Sequence, residues 1–204
     1  MLSGGRMRIL VIGASGLLGK EITALLSEEH DVVGASRSSP AVSVDISDKQ
    51  SILAMYKQLG MVDAVVCVGG TAKFAPLDSL TDDDFAFSLA NKLMGQVNLV
   101  RYGVPYISQG GSVTLTSGTL AQHPMLGGAA VSTVNAAIEA FGRAAALELQ
   151  GKIRVNVVSP GWVWETLEAM GRDPAKGVRA AVVAQVYQKC ILEDISGQVV
   201  SVTH

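Results

Sequence analysis

Val11-Ile12-Gly13-Ala14-Ser15-Gly16-Leu17-Leu18-Gly19-Lys20 is the stretch on which the reading of this chain turns. Upstream, residues 7–12 are apolar and β-branched enough for a short buried strand. Downstream, Leu17, Leu18, Ile22, Leu25 and Leu26 recur at a helical period. Gly13, Gly16 and Gly19 therefore fall on a strand-to-helix turn. Glycine there permits a tight bend, lets a diphosphate approach the backbone, and lets the helix pack close to the strand. The amides of the helix N-terminus then face an anion. With Ser15, Leu17 and Leu18 inside the turn, residues 13–19 are expected to hold a dinucleotide.

Outward from this turn, strand and helix patterns alternate. Strands are expected at 31–36, 41–44, 62–68, 111–116, 153–158 and 197–202, besides the first at 7–12. Helical patterns cover 17–28, 47–59, 82–106 (broken at Pro105), 128–150 and 175–192, with Ser47 and Asp48 as caps and Gly151 as a stop. The run 62–68 is almost continuously apolar, as expected of a strand covered on both faces. Such alternation predicts an α/β fold: a Rossmann-type, doubly wound parallel sheet in three α/β/α layers. No linker or repeat interrupts it, so residues 1–204 are expected to form a single domain. Residues 1–6 are expected to be a flexible N-terminal extension, with Met7 as an alternative start.

Composition narrows the function. Of 204 residues, 49% are apolar and 17% charged, enough for a large core and too apolar for disorder. A net charge of −2 offers no basic stripe for nucleic acid. No apolar run is long enough to span a membrane, and six residues before the first strand are too few for a signal peptide. Cys67 and Cys190 lie far apart without metal-ligand spacing, which fits a reducing, cytoplasmic setting. At the end of the second strand, a carboxylate would bind a ribose 2′-hydroxyl and reject a 2′-phosphate. This chain has Ser36, Arg37 and Ser38 there, so NADP(H) is expected over NAD(H), with Arg37 as the main determinant.

At this point the chain resembles the short-chain dehydrogenase/reductase family over nearly its whole length. The glycine turn matches that family's cofactor turn, with the spacing of its extended branch. Asp45-Ile46 is similar to the acidic-apolar pair beside the adenine. Residues 63–70, ending Val68-Gly69-Gly70, look like the segment that usually ends Asn-Asn-Ala-Gly. Arg154-Val-Asn-Val-Val-Ser-Pro-Gly161 resembles the strand and turn on the nicotinamide side, and residues 196–199 the final strand. The resemblance implies cofactor contacts at Asp45, Ile46, Val68, Gly69, Gly70, Pro160, Gly161 and Val163.

The catalytic positions depart from the family. Its Asn, Ser, Tyr and Lys carry the chemistry, and Asn91 matches the first, with a place beside the cofactor as well. Where Tyr-x-x-x-Lys should stand, the chain reads Val131-Ser132-Thr133-Val134-Asn135, and the serine position falls on Gly118. Valine has no proton to give, and losing a positioned acid costs about 10²–10⁴ in rate. Asn135 still offers a hydrogen bond to the nicotinamide ribose. The candidate catalytic set is therefore Asn91, Ser117 and His123. Ser117 either turns its hydroxyl to a substrate or caps backbone groups. His123 is either a surrogate acid or an ordinary loop histidine. Lys73 is read as a solvated lysine, and Trp162 and Trp164 as packing over the cofactor rather than on a substrate. About eight residues between Thr166 and the last helix leave a short lid and an open site.

Two functions remain open: an NADP(H)-dependent oxidoreductase with a rearranged catalytic set acting on a small molecule, or an inactive NADP-binding sensor or interaction protein. The alanines of 128–150 suit close helix approach, and the resemblance implies a homodimer or homotetramer through the helices at 82–106 and 128–150.

Overall fold

Strand β1 (Arg8–Ile12) alternates its side chains between the two faces of a sheet, and both faces are buried. Leu10 and Ile12 enter one core with Met55, Tyr56, Leu99 and Ile138. Ile9 and Val11 enter the other with Ile22, Leu26, Val183 and Tyr187. The computed structural model describes residues 5–204; residues 1–4 of the expected extension lie outside the described residues.

Six strands make one parallel sheet in the order β2-β1-β3-β4-β5-β6. Beyond β1 they are β2 (Asp31–Ala35), β3 (Val62–Cys67), β4 (Ile107–Thr116), β5 (Arg154–Pro160) and β6 (Val199–Val202). Helices α1 (Leu17–Ser27) and α7 (Ala180–Leu192) cover one face. The other is covered by α2 (Lys49–Leu59), α4 (Gly95–Gly103) and α5 (Ala129–Glu148). This is the Rossmann-type doubly wound α/β/α fold expected. All six carboxyl ends lie on one edge, and the strand order reverses beside β1, the place where such sheets bind ligands.

Several boundaries differ from expectation. Residues 41–44 form no strand, only a single bridge from Ser43 to Ser36. The serines explain it: Val42 N–H donates to Ser39 Oγ and Ser43 Oγ donates to the Arg37 carbonyl, curling the segment into a loop. The expected helix 82–106 is a composite. It runs as α3 (Asp82–Ser88), a π-helical stretch Leu89–Met94, α4, and a 3₁₀ turn Val104–Tyr106 at Pro105. A short helix α6 (Trp164–Ala169) occupies the lid, and α7 starts at Ala180 rather than 175, so the lid is longer than expected. No helix among the described residues is long and apolar enough to cross a membrane.

Candidate active site at the carboxyl edge of the sheet

The glycine turn is built by close approach. Gly13 has φ +86°, and a β-carbon there would lie 2.8 Å from Gly69 N. A β-carbon at Gly19 would stand 2.1 Å from the Gly13 carbonyl oxygen, so α1 packs directly on the turn. Gly16 is the N-cap of α1 and supplies no side-chain cap, which leaves the first amides of the helix for an external acceptor. Ser15, Gly16 and Leu17 are exposed there and Leu18 half-buried.

Beyond β2, Ser36 is half-buried while Arg37 and Ser38 are exposed. The Arg37 guanidinium forms no ion pair among the described residues. It lies near enough to Asp45 to help hold that carboxyl below its ordinary value, though hydrogen bonds from the Ser47 hydroxyl and amide do more. Both of those bonds end on Asp45 Oδ1. Ile46 fills the space beside Gly69, Gly70 and Gly95, where a β-carbon on Gly95 would lie 2.9 Å from its Cγ1. Val68 N–H donates to the Ile12 carbonyl, joining the ends of β1 and β3.

At the other end of the crevice, Ser117, Gly118 and Asn135 form one unit. Asn135 Nδ2 donates to the Gly118 carbonyl at 3.3 Å. Its Oδ1 is buried and has no protein donor. An orphaned acceptor of this kind costs about 1–3 kcal/mol unless a ligand meets it, and a ribose hydroxyl has the required chemistry. Ser117 is 3% exposed and donates its hydroxyl to Glu139 Oε1 at 2.9 Å. Ser159 Oγ donates to the same oxygen, and Gln122 Nε2 to Glu139 Oε2. Glu139, on α5 and 4% exposed, is thus the hub that fixes the loop after β4 and the end of β5. The Ser117 hydroxyl turns inward to this hub, not toward the crevice.

Asn91 lies in the π-helical stretch, and its Oδ1 accepts from Thr71 N at 2.8 Å and from Thr71 Oγ1. His123 is exposed on the loop before α5, with its backbone amide bonded to Thr119 O. Lys73 pairs with Asp84 at 3.8 Å and covers Phe87. Val131 is buried. Gly161 N–H donates to Val202 O, and the buried Val163 bridges to Val178, so the lid is tied to the sheet edge. Trp164 stacks under the Arg179 guanidinium at 3.4 Å, and Trp162 faces Arg172 at 5.6 Å.

Two residues escaped the sequence reading. Glu139 is one, and its signal was a carboxylate one turn beyond Asn135 on an otherwise small, apolar helix face. Lys92 is the other. Its side chain crosses Gly70, where a β-carbon would lie 3.1 Å from Lys92 Cα, and its Nζ donates to the Ser117 carbonyl at 3.4 Å. Burial pulls this ammonium down to about 8. Gln96 fixes the backbone beneath it, trading two hydrogen bonds of 2.8 Å with the Thr116 backbone.

An alternating parallel sheet, a glycine cradle at its switch point and polar groups along the carboxyl edge define a dinucleotide-binding α/β protein. A family model described as enoyl-(acyl carrier protein) reductase matches residues 19–199, and the chain belongs to the short-chain dehydrogenase/reductase family of nicotinamide-dependent oxidoreductases. The protein lin1944 from Listeria innocua is 39% identical with a TM-score of 0.90, over 96% of this chain and 99% of that one. A small-chain dehydrogenase solved in complex with NADPH is 28% identical with a TM-score of 0.86, over 97% of both chains. The L-fucose dehydrogenase of Oryctolagus cuniculus is 27% identical over 160 residues, 73% of this chain and 56% of its own length. The chain spans about half the length of the curated relatives it matches.

Proposed function

We propose that this protein is an NADP(H)-dependent oxidoreductase of small carbonyl compounds that works without the family's usual serine, tyrosine and lysine. The observation that carries the reading is the buried, donor-less Oδ1 of Asn135, whose amide is bonded to Gly118 in the loop after β4. In this reading the amides of residues 15–19 hold the diphosphate, Asp45 and Ile46 flank the adenine, and Asn135 takes a ribose hydroxyl. Pro160, Gly161 and Val163 border the nicotinamide, and the reduced nicotinamide supplies a hydride. Arg37, which forms no ion pair among the described residues, and the hydroxyls of Ser36 and Ser38 select a 2′-phosphate.

The test is a fluorescence titration with NADPH and NADH. At least tenfold tighter binding of NADPH, with a loss of that preference in Arg37→Ala, supports the reading; equal affinity refutes the NADP(H) assignment. Tight binding with no turnover on aldehydes, ketones or quinones would make the protein a sensor instead. Two buried, free cysteines fit a reducing compartment, and the exposed stripe Ala136, Ala140 and Ala144 on α5 fits a homo-oligomer, which sedimentation equilibrium would show as a dimer or tetramer.

A further inference from the structure

We infer that the Lys92 ammonium is the proton donor to the substrate oxygen in this crevice, in place of the tyrosine that position 131 lacks. The inference rests on the nicotinamide reading above. Its own ground is the reach of the Lys92 side chain to the carbonyl of Ser117.

Several other proton-bearing groups near this edge are committed elsewhere or lie outside it. The Ser117 hydroxyl donates inward to Glu139. Asn91 presents its oxygen to Thr71. Tyr187 meets β4 from the opposite face, fully buried, its hydroxyl 2.6 Å from Thr116 Oγ1, and desolvation pushes the phenol far above its ordinary range. His123 is exposed on an outer loop with no side-chain hydrogen bond to orient it. Lys92 reaches from the π-helical stretch across Gly70 to the carbonyl of Ser117, next in sequence to the Gly118 carbonyl that accepts from Asn135.

One of its three protons is used by Ser117 O at 3.4 Å, and no carboxylate among the described residues lies within 4 Å to claim the others. The charged or titratable groups around it are few. Cys67 on β3 lies beneath, its thiol pushed up to about 12 by burial and therefore neutral. Glu139 on α5 stands behind Ser117 and accepts from Ser117, Ser159 and Gln122. Lys73 is paired with Asp84 away from the crevice. An unpaired ammonium whose proton leaves near pH 8 is matched to donate at neutral pH.

In the forward direction an N–H bond of Lys92 breaks as the O–H bond of the alcohol forms, while the hydride from the dihydronicotinamide joins the carbonyl carbon. The carbonyl is reduced and the nicotinamide oxidised by two electrons. The neutral amine left on Lys92, which is half-buried, recovers its proton from solvent.

The test labels amines by reductive methylation, from pH 6 to 11, and reads each lysine by peptide mass spectrometry, with and without saturating NADPH. NADPH binding is measured in parallel by fluorescence. The expected result is a half-maximal labelling pH near 8 for Lys92, well below that of a free lysine amide labelled alongside, with at least tenfold protection of Lys92 by NADPH. On a panel of aldehydes and ketones, kcat/KM should fall above pH 8 in the wild type. In Lys92→Met turnover should drop at least a hundredfold while NADPH affinity stays within threefold. NADPH binding without protection of Lys92, or turnover unchanged in Lys92→Met, overturns the lysine's role alone. No NADPH binding overturns the cofactor reading and the lysine's role with it.

Discussion

A β-carbon at Gly118 would stand 2.9 Å from Nδ2 of Asn135, so these two positions are fitted to each other. The sequence resemblance reads Gly118 at the family's serine position and Asn135 at its lysine position. The glycine makes room for an amide that returns a hydrogen bond to the Gly118 carbonyl. Backbone strain plays no part, because φ at Gly118 is extended. Gly118→Ser should therefore displace the amide and cost about 1 kcal/mol, the scale of one hydrogen bond. In an Asn135→Ala background the same serine should cost nothing further. Thermal melts of the four proteins give this coupling directly.

Gly13, Gly16 and Gly19 should separate by their clearances. Alanine at 19 meets the Gly13 carbonyl at 2.1 Å, and alanine at 13 needs both a positive φ and space held by Gly69. Each should lower stability by about 2 kcal/mol or more and abolish NADPH binding. Gly16→Ala, with its nearest contact at 3.4 Å, should keep both within a small margin. Denaturant unfolding and a fluorescence titration check the order.

Glu139→Gln puts an amide donor where Gln122 already donates, and weakens what Ser117 and Ser159 are bonded to. The expected loss is about 1–3 kcal/mol, with looser cofactor binding because Ser117 and Gly118 lose their anchor. Equal stability of the variant and the wild type in urea would contradict the hub.

Lys92 should leave a mark on stability as a function of pH. Its proton leaves near 8 in the folded protein and near the ordinary 10.5 in the unfolded chain. Between these values the unfolded state holds the extra proton, so this group makes stability rise with pH, by up to about 1.4 kcal/mol per unit. Below pH 8 both states are protonated and the slope vanishes. The difference between wild-type and Lys92→Met urea midpoints should show that rise, whatever the other groups contribute.

The fold was legible because periodicity reports burial. Residues 62–68 read as a two-sided strand and β3 is one; the glycine turn read as strand-to-helix and is one. Residues 41–44 misled because Val42 and Val44 are buried by a loop whose serines satisfy the backbone locally. At the site, positions set by backbone could be read, since Gly13 and Gly69 must touch. Side-chain direction could not. Nothing in the string Asn91-Lys92 says which of the two looks into the crevice. The π-helical stretch decides it, turning Asn91 to Thr71 and Lys92 to Ser117.

Strand order also bears on how the molecule comes into being. After the β1–β2 pair, β3 joins the open side of β1, and β4, β5 and β6 then add one after another to the same growing edge. A chain emerging from its N-terminus thus finds each new strand's neighbour already made, with no slot left to be filled from behind. The nest of glycines is complete once residue 70 is out, whereas the far wall waits for Asn135 and residues 160–163. A growing chain would therefore have its glycine half folded long before the half that carries Asn135 and the lid.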